Sequence, residues 1–445
     1  MSLTTTSAAT VAVDDPPHIL VFPYPAQGHI LPILDLTHQL ALRRFPITIL
    51  TTPQNLPTLS PLLSAHPSSV HPLVLPFPPH PALPSGVENV KDLGKSGNLP
   101  IINASPTSTT PSSAGSPPTL TPLRLSSPTS SSAGRSTSPA RSTSPVSPSS
   151  PPAPSSPPSS TPAWLSLARS PCFREEHLPS TLRICGGKVS PESEFLKESL
   201  AANGSSWGCV FNTFDALEGE RVVTENRNNV GAGIDVLEWL EGCPEKSVLY
   251  VCFGSQKLLS RAQMEALAFG LQKSGVRFIW AVKTGSAEEA AQGKGVVPEG
   301  FEERVGGRGL VIRGWAPQVM IMSHRAVGGF VSHCGWNSVL EAAVAGVRIL
   351  AWPMEADQHV NARLLVEDMG VAVRVCEGAE GVPDAVELGN VVAEAMSGEA
   401  PEKARVKELR DAASSAVREG GSSAKDLDEL VRELCKLPKP VGKRE

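Results

Sequence analysis

The chain has 445 residues, enough for two domains of ordinary size, and its net charge of -5 excludes the basic footprint of a nucleic-acid binder. Its eight cysteines are scattered singly, with no CxxC pair or zinc-like spacing, which points to reduced thiols in a cytoplasmic protein without a metal site. No apolar stretch approaches the roughly 20 residues of a membrane span, and the opening MSLTTTSAATVAVDD lacks the basic start and apolar core of a signal peptide.

After Pro16 and Pro17, residues 18–22 form a short apolar run that reads as the first strand of an α/β domain. Pro23-Tyr-Pro-Ala-Gln-Gly28-His29 follows, then an apolar-periodic helix over 30–42 and a strand over 46–51. Ligands of open α/β sheets sit beyond the carboxyl ends of the strands, so Gly28 and His29 stand where chemistry is expected. Position alone leaves His29 open between a catalytic group and a loop or cap residue. From about Asn103 to Pro162 the chain is almost wholly Ser, Pro and Thr. Such a tract cannot supply a packed core and is expected to be disordered or polyproline-like. No Asp or Glu lies between Asp92 and Glu175.

From Val236 onward the pattern alternates as in a parallel sheet. Strand 247–253 ends at Gly254-Ser255, helix 261–274 and strand 277–282 follow, and strands over 310–313, 328–332 and 348–351 continue to a last helix over 424–437. The 44 residues from Trp315 to Gln358 are the most informative. There, the strand 328–332 stops at His333, and Cys334-Gly-Trp-Asn-Ser opens an amphipathic helix. A helix start of this kind leaves its first N–H groups unpaired, and with the helix dipole they form an anion site. Asn337 and Ser338 can donate to phosphate oxygens, and His333 adds a third donor as an imidazolium. No Lys or Arg stands between His333 and Arg348, so neutralisation falls to the dipole and neutral donors. Glu341 shares a helical face with Asn337 and Ser338 and can accept two ribose hydroxyls. Trp315 offers a flat face to a base with Gln318 nearby, and Asp357 and Gln358 can bond sugar hydroxyls. Singly these residues are ordinary turn and core chemistry; at this spacing together they point to a nucleotide sugar.

The Trp315–Gln358 run resembles, at full length, the signature box of plant family-1 UDP-glycosyltransferases. The resemblance implies a GT-B fold, an α/β architecture of two Rossmann-like domains facing a cleft. Residues 1–230 would bind the acceptor and 231–445 the UDP-sugar, with the last helix crossing back. It implies inverting transfer of glucose from UDP-glucose to a hydroxyl of a small phenolic or flavonoid acceptor, by a cytoplasmic monomer needing no metal or other cofactor. Trp315 would stack on uracil, Gln318 and Glu341 would hold the ribose, and His333, Asn337 and Ser338 the diphosphate, aided by Ser255. Trp336, Asp357 and Gln358 would contact the sugar, and a glutamine at 358 is associated with glucose donors. PYPAQGHILPILDL matches the family's first strand, loop and helix and makes His29 the base. Arg348 stands where proline is common and His359 where an aromatic is common; neither is expected to touch the donor.

In that family the histidine is oriented by an aspartate roughly a hundred residues further on, where this chain has its Ser/Pro/Thr tract. Asp35 and Asp92 are poor substitutes, the first facing away on its helix and the second in a loop. Family-like sequence returns at Ser170-Pro-Cys-Phe, and 207–218 reads as a strand and a helix start, before a junction over 219–234 that looks truncated. Two explanations fit the tract over 103–169. It is an out-of-frame stretch that replaces domain sequence, or a linker whose repeat at Arg135 and Arg141 resembles proline-directed phosphorylation sites. A chain without the aspartate is alternatively a UDP-sugar-binding pseudoenzyme.

Overall fold

The computed structural model describes residues 16–77, 81, 83–93, 101, 121–123, 194, 197, 210–218, 234–397 and 401–437. The tract over 103–169, apart from 121–123, lies outside these residues, as do most of 170–209 and the junction over 219–233.

The N-terminal elements are β1 (Ile19–Val21), α1 (Gln27–Leu42), β2 (Ile47–Thr51), α2 (Leu56–Ala65), β3 (Val70–Val74) and β4 (Thr121–Leu123). They form a parallel sheet in the order β3-β2-β1-β4. β2 alternates buried and half-buried residues, with Ile47, Ile49 and Thr51 facing the core, as the period of a strand requires. α1 covers the sheet with Ile30, Ile33, Leu34, Leu40 and Ala41, a stripe of helical spacing. Two expectations are corrected here. α1 begins at Gln27 rather than Ile30, because Ala26 is extended (φ -136, ψ 140) and its carbonyl accepts from the N–H groups of both His29 and Ile30. His29 therefore stands in the first turn of a helix, not in a loop. And the tract expected to lack structure contributes a strand: Thr121, Pro122 and Leu123 pair in parallel register with Ile19, Leu20 and Val21. Among the described residues this strand pairs on one side only, a setting in which proline is tolerated.

The C-terminal elements run α3 (Asp215–Glu218), α4 (Ile234–Glu241), β5 (Val248–Cys252), α5 (Arg261–Ser274), β6 (Arg277–Val282), α6 (Ala287–Ala291), α7 (Phe301–Val305), β7 (Gly309–Arg313), α8 (Gln318–Ser323) and β8 (Val327–Ser332). They continue as α9 (Trp336–Ala345), β9 (Arg348–Ala351), α10 (Gln358–Arg363), β10 (Ala372–Arg374), α11 (Ala385–Met396), α12 (Pro401–Ala416) and α13 (Ser422–Lys436). No strand is formed over 210–214, where one was expected. Instead Phe214 and Leu217 pack into the core beneath α9 and α12. The six strands form a parallel sheet in the order β10-β9-β8-β5-β6-β7. In its central strand β5, Val248 and Tyr250 face one helical layer, and Leu249 and Val251 face the other. This is the apolar, two-faced pattern of a buried parallel strand.

Two parallel sheets with helices on their faces make the α/β architecture of two Rossmann-like domains. α13 packs against the N-terminal sheet. Val431 and Leu434 are buried among Ile19, Leu40 and Phe45, and Arg43 Nη2 meets Asp428 Oδ1 at 3.2 Å. Each fully buried aliphatic side chain stabilises this docking by about 1.5–3 kcal/mol.

Candidate active site

Strand order decides where a ligand can sit. In the C-terminal sheet the chain enters at β5, builds outward through β6 and β7, then crosses back to place β8 on the other side of β5. A crevice opens at such a reversal, beyond the carboxyl ends of the two strands. Gly254 and Ser255 follow β5, and His333 follows β8, so the two turns flank it. The N-terminal sheet reverses between β1 and β4, and His29 follows β1.

The turn from β8 into α9 is held by its own polar groups. Cys334 takes the left-handed conformation (φ 62) and its N–H bonds Ser332 Oγ at 3.1 Å. Its thiol is fully buried, which pushes the pKa up to about 12 and leaves it inert. Gly335 is the N-cap of α9, and no side chain caps the helix. The first N–H groups of α9 are thus available to an anion, as the sequence suggests.

His333 lies beside that helix start in a slot between two glycines. A Cβ on Gly254 would stand 2.8 Å from its Nε2, and one on Gly335 would stand 2.6 Å away. Burial pushes the ring's pKa down to about 4, so the expected imidazolium is corrected to a neutral imidazole. Its Nδ1 is buried without a hydrogen-bond partner, a costly state that a ligand would relieve.

One turn along α9, Gln318 gathers the next group. Its amide donates to Ser338 Oγ at 3.1 Å and to Glu341 Oε2 at 2.7 Å, while its carbonyl accepts from the Tyr250 hydroxyl at 3.4 Å. Tyr250 was not foreseen; it is buried, stacked on Phe330 with centroids 5.1 Å apart. As a β-strand residue in an apolar run, it reads from sequence as core alone. Trp315 precedes α8 and is 55% exposed.

Asp357 and Gln358 begin α10. Gln358 Oε1 accepts from the N–H groups of Met354 and Glu355, both at 3.0 Å. That fixes its carbonyl. Asp357 Oδ2 accepts from Asn361 Nδ2 at 3.0 Å, and the same amide bonds the Cys334 carbonyl at 3.0 Å. Asn361 therefore ties the two turns together. Its place four residues after Asp357 on a helix is the signal that could have found it. Burial raises the Asp357 pKa despite that bond.

α9 also reaches the N-terminal half. Trp336 Nε1 donates to the Asn212 carbonyl at 2.6 Å, and Asn337 Nδ2 donates to the Gly28 carbonyl at 2.9 Å. The second bond brings the residue beside His29 against the donor helix. The His29 ring packs edge-on with Tyr24, centroids 5.1 Å apart. Burial lowers its pKa to about 4, which leaves it neutral at pH 7 but a weaker base than the imidazole titrating near working pH that general base catalysis favours. Among the described residues no carboxylate bonds that ring. Asp92 is exposed in a short 3₁₀ turn, and the stretch that would supply the family's aspartate lies outside the described residues. Arg348 and His359 make contacts of their own. The first bonds the Ala395 carbonyl at 3.2 Å and pairs with Glu402 at 3.3 Å; the second is buried 3.6 Å from Glu377. No group of three or more potential metal ligands occurs among the described residues, and none of their helices is long and apolar enough to cross a membrane.

A neutral imidazole in the first turn of α1 and the uncapped start of α9 are thus brought to one region by the bond between Asn337 and Gly28. UDP-glycosyltransferase 89A2 of Arabidopsis thaliana is 46% identical to this chain over 460 residues, spanning 95% of this chain and 97% of that protein. The chain is a plant family-1 UDP-glycosyltransferase. The family model described as UDP-glucoronosyl and UDP-glucosyl transferase matches residues 226–395 of this glycosyltransferase. A flavonol 7-O-rhamnosyltransferase of Arabidopsis thaliana is 39% identical over 458 residues, covering 96% of this chain and all of that one. The crystal structure of Arabidopsis thaliana UGT89C1 complexed with UDP-L-rhamnose superposes with a TM-score of 0.70 at 35% identity, over 95% of this chain and 100% of that one. The GT-B arrangement expected of the family is the arrangement present here.

Proposed function

We propose that this glycosyltransferase moves glucose from UDP-glucose, with inversion, to a hydroxyl of a small phenolic or flavonoid acceptor. The acceptor oxygen attacks the anomeric carbon as the bond to UDP breaks on the opposite face. UDP leaves with the electron pair, and the acceptor's proton passes to His29. A neutral imidazole can take that proton directly. Trp315 stacks on the base, and Gln318 and Glu341 hold the ribose. His333, Asn337, Ser338 and Ser255 donate to the diphosphate, so charge develops where donors already point. Trp336, Asp357 and Gln358 contact the sugar. No metal or other cofactor takes part, and the setting is a cytoplasmic monomer.

The observation that carries this reading is the uncapped start of α9 with the unpartnered His333 Nδ1 beside it. The glucose preference draws on Gln358, whose carbonyl is held by two backbone N–H groups so that its NH₂ group can meet a sugar hydroxyl. Named relatives differ in sugar: one is called a flavonol 3-O-glucosyltransferase and another a flavonol 7-O-rhamnosyltransferase. The test is direct competition. The protein is given equal UDP-glucose and UDP-rhamnose with quercetin, and the products are weighed by mass spectrometry. Glucoside is expected, and its loss in His29→Ala; rhamnoside alone overturns the donor assignment.

A second reading has its own observation, the absence of any carboxylate on the His29 ring among the described residues. In serine proteases the orienting carboxylate is worth about 10⁴ in rate. On that reading the chain binds UDP-sugar without efficient transfer, and calorimetric UDP binding without any glycoside would establish it.

A further inference from the structure

α1 carries a proline in its interior, Pro32. In a regular α-helix the N–H of residue 32 would bond the carbonyl of residue 28. Proline has no N–H, and its ring crowds that carbonyl. The Gly28 carbonyl is met instead from the other half of the molecule, by Asn337 Nδ2 at 2.9 Å. One turn away from His29, the helix thus has a missing internal bond and a partner from α9 that fills it. We propose that Pro32 is a positioning residue. By leaving the Gly28 carbonyl without a partner inside α1, it creates the acceptor through which Asn337 clasps the first turn of α1 and sets the spacing between His29 and the start of α9.

An amide nitrogen has two N–H groups, so Asn337 can hold Gly28 with one and meet a phosphate oxygen with the other. Trp336 supports the same clasp through its bond to the Asn212 carbonyl, 2.6 Å long. Acceptor deprotonation and UDP departure occur on opposite faces of one carbon. A shift of either helix start along the cleft misaligns both, and reacting groups tolerate little misplacement. The inference rests on His29 as the base and on α9 as the diphosphate site.

Pro32→Ala tests it, because alanine restores the N–H that would draw the Gly28 carbonyl back into α1. UDP affinity by calorimetry is expected to stay within about twofold, since the UDP groups lie in the C-terminal half. The net worth of a neutral hydrogen bond corresponds to roughly 2- to 12-fold in an equilibrium. A fall in kcat of about fivefold is therefore expected, with KM for UDP-glucose little changed. In an Asn337→Ala background, Pro32→Ala is expected to lower kcat no further, since the clasp is already gone. The parent, the two single variants and the double variant give an independent reading from urea unfolding. Asn337→Ala destabilises the parent but not the Pro32→Ala protein, whether or not the chain turns over. Pro32→Gln carries the same expectation, as it too restores the N–H. An unchanged kcat in Pro32→Ala, or additive effects in the double variant for both kcat and unfolding, overturns the proposal. Full activity in His29→Ala would instead overturn the base assignment and leave the unfolding result to stand on its own.

Discussion

Gly335→Ala isolates the contribution of the His333 slot. Gly335 has φ -61 and ψ 140, a conformation open to any residue, so backbone strain does not enter. An added Cβ would stand 2.6 Å from His333 Nε2 and 3.1 Å from Cε1. Comfortable separations are about 3.5 Å or more, so the ring must retreat by roughly 0.9 Å. A displacement of that size stretches a hydrogen bond of about 2.9 Å beyond useful length. Hydrogen bonds to charged groups contribute about 1.5–3 kcal/mol, which is roughly 10- to 150-fold in Kd. The assay is calorimetric titration of UDP and of uridine against both proteins. UDP should weaken by that factor, while uridine, which has no diphosphate, should bind both proteins alike. UDP affinity within about twofold of the parent, or equal losses for UDP and uridine, would refute the assignment of His333 to the diphosphate.

Two further outcomes concern stability. Arg348 is 5% exposed and has Glu402 as its ion-pair partner at 3.3 Å. Glu402→Ala should destabilise by about 1–3 kcal/mol by removing one of the two carboxylates that offset a buried guanidinium, and an unfolding midpoint equal to the parent's would contradict that. His29 and His333 are held near pKa 4 by burial, against about 6.5 in an unfolded chain. Between those values the unfolded state binds more protons, so stability is full above pH 6.5 and falls as pH drops towards 4. At pH 5 the loss is about 2 kcal/mol for each ring. His333→Asn should therefore lose about 2 kcal/mol less than the parent between pH 7 and pH 5 in urea unfolding; an equal loss would show that the ring is not buried neutral.

Much of the C-terminal half was legible in the chain itself. The helix 261–274 and the strands 277–282 and 348–351 occur with the bounds that periodicity assigns, because buried parallel strands and amphipathic helices carry local patterns. The Trp315–Gln358 spacing likewise announced a helix start with polar groups on one face. Other features had no local signal. Tyr250 reads as core because its hydroxyl partner, Gln318, is 68 residues away. The strand 121–123 was invisible within a Ser/Pro/Thr tract, since pairing with β1 and not propensity makes it a strand.

The sequence alone determined that a helix starts after Gly335 with Asn337, Ser338 and Glu341 on one face, because residues three and four apart on a helix must share a face. It also set Gly28 and His29 in the segment that follows the first strand. Only the tertiary structure decided that the β5 and β8 turns flank one crevice, because strand order depends on a crossover that periodicity does not encode. It decided that His333 is neutral, since its charge depends on how completely residues from two separate turns exclude water. And it decided that Asn337 reaches Gly28, a contact that exists because a proline removes one helical hydrogen bond and folding brings a distant amide to the carbonyl left behind.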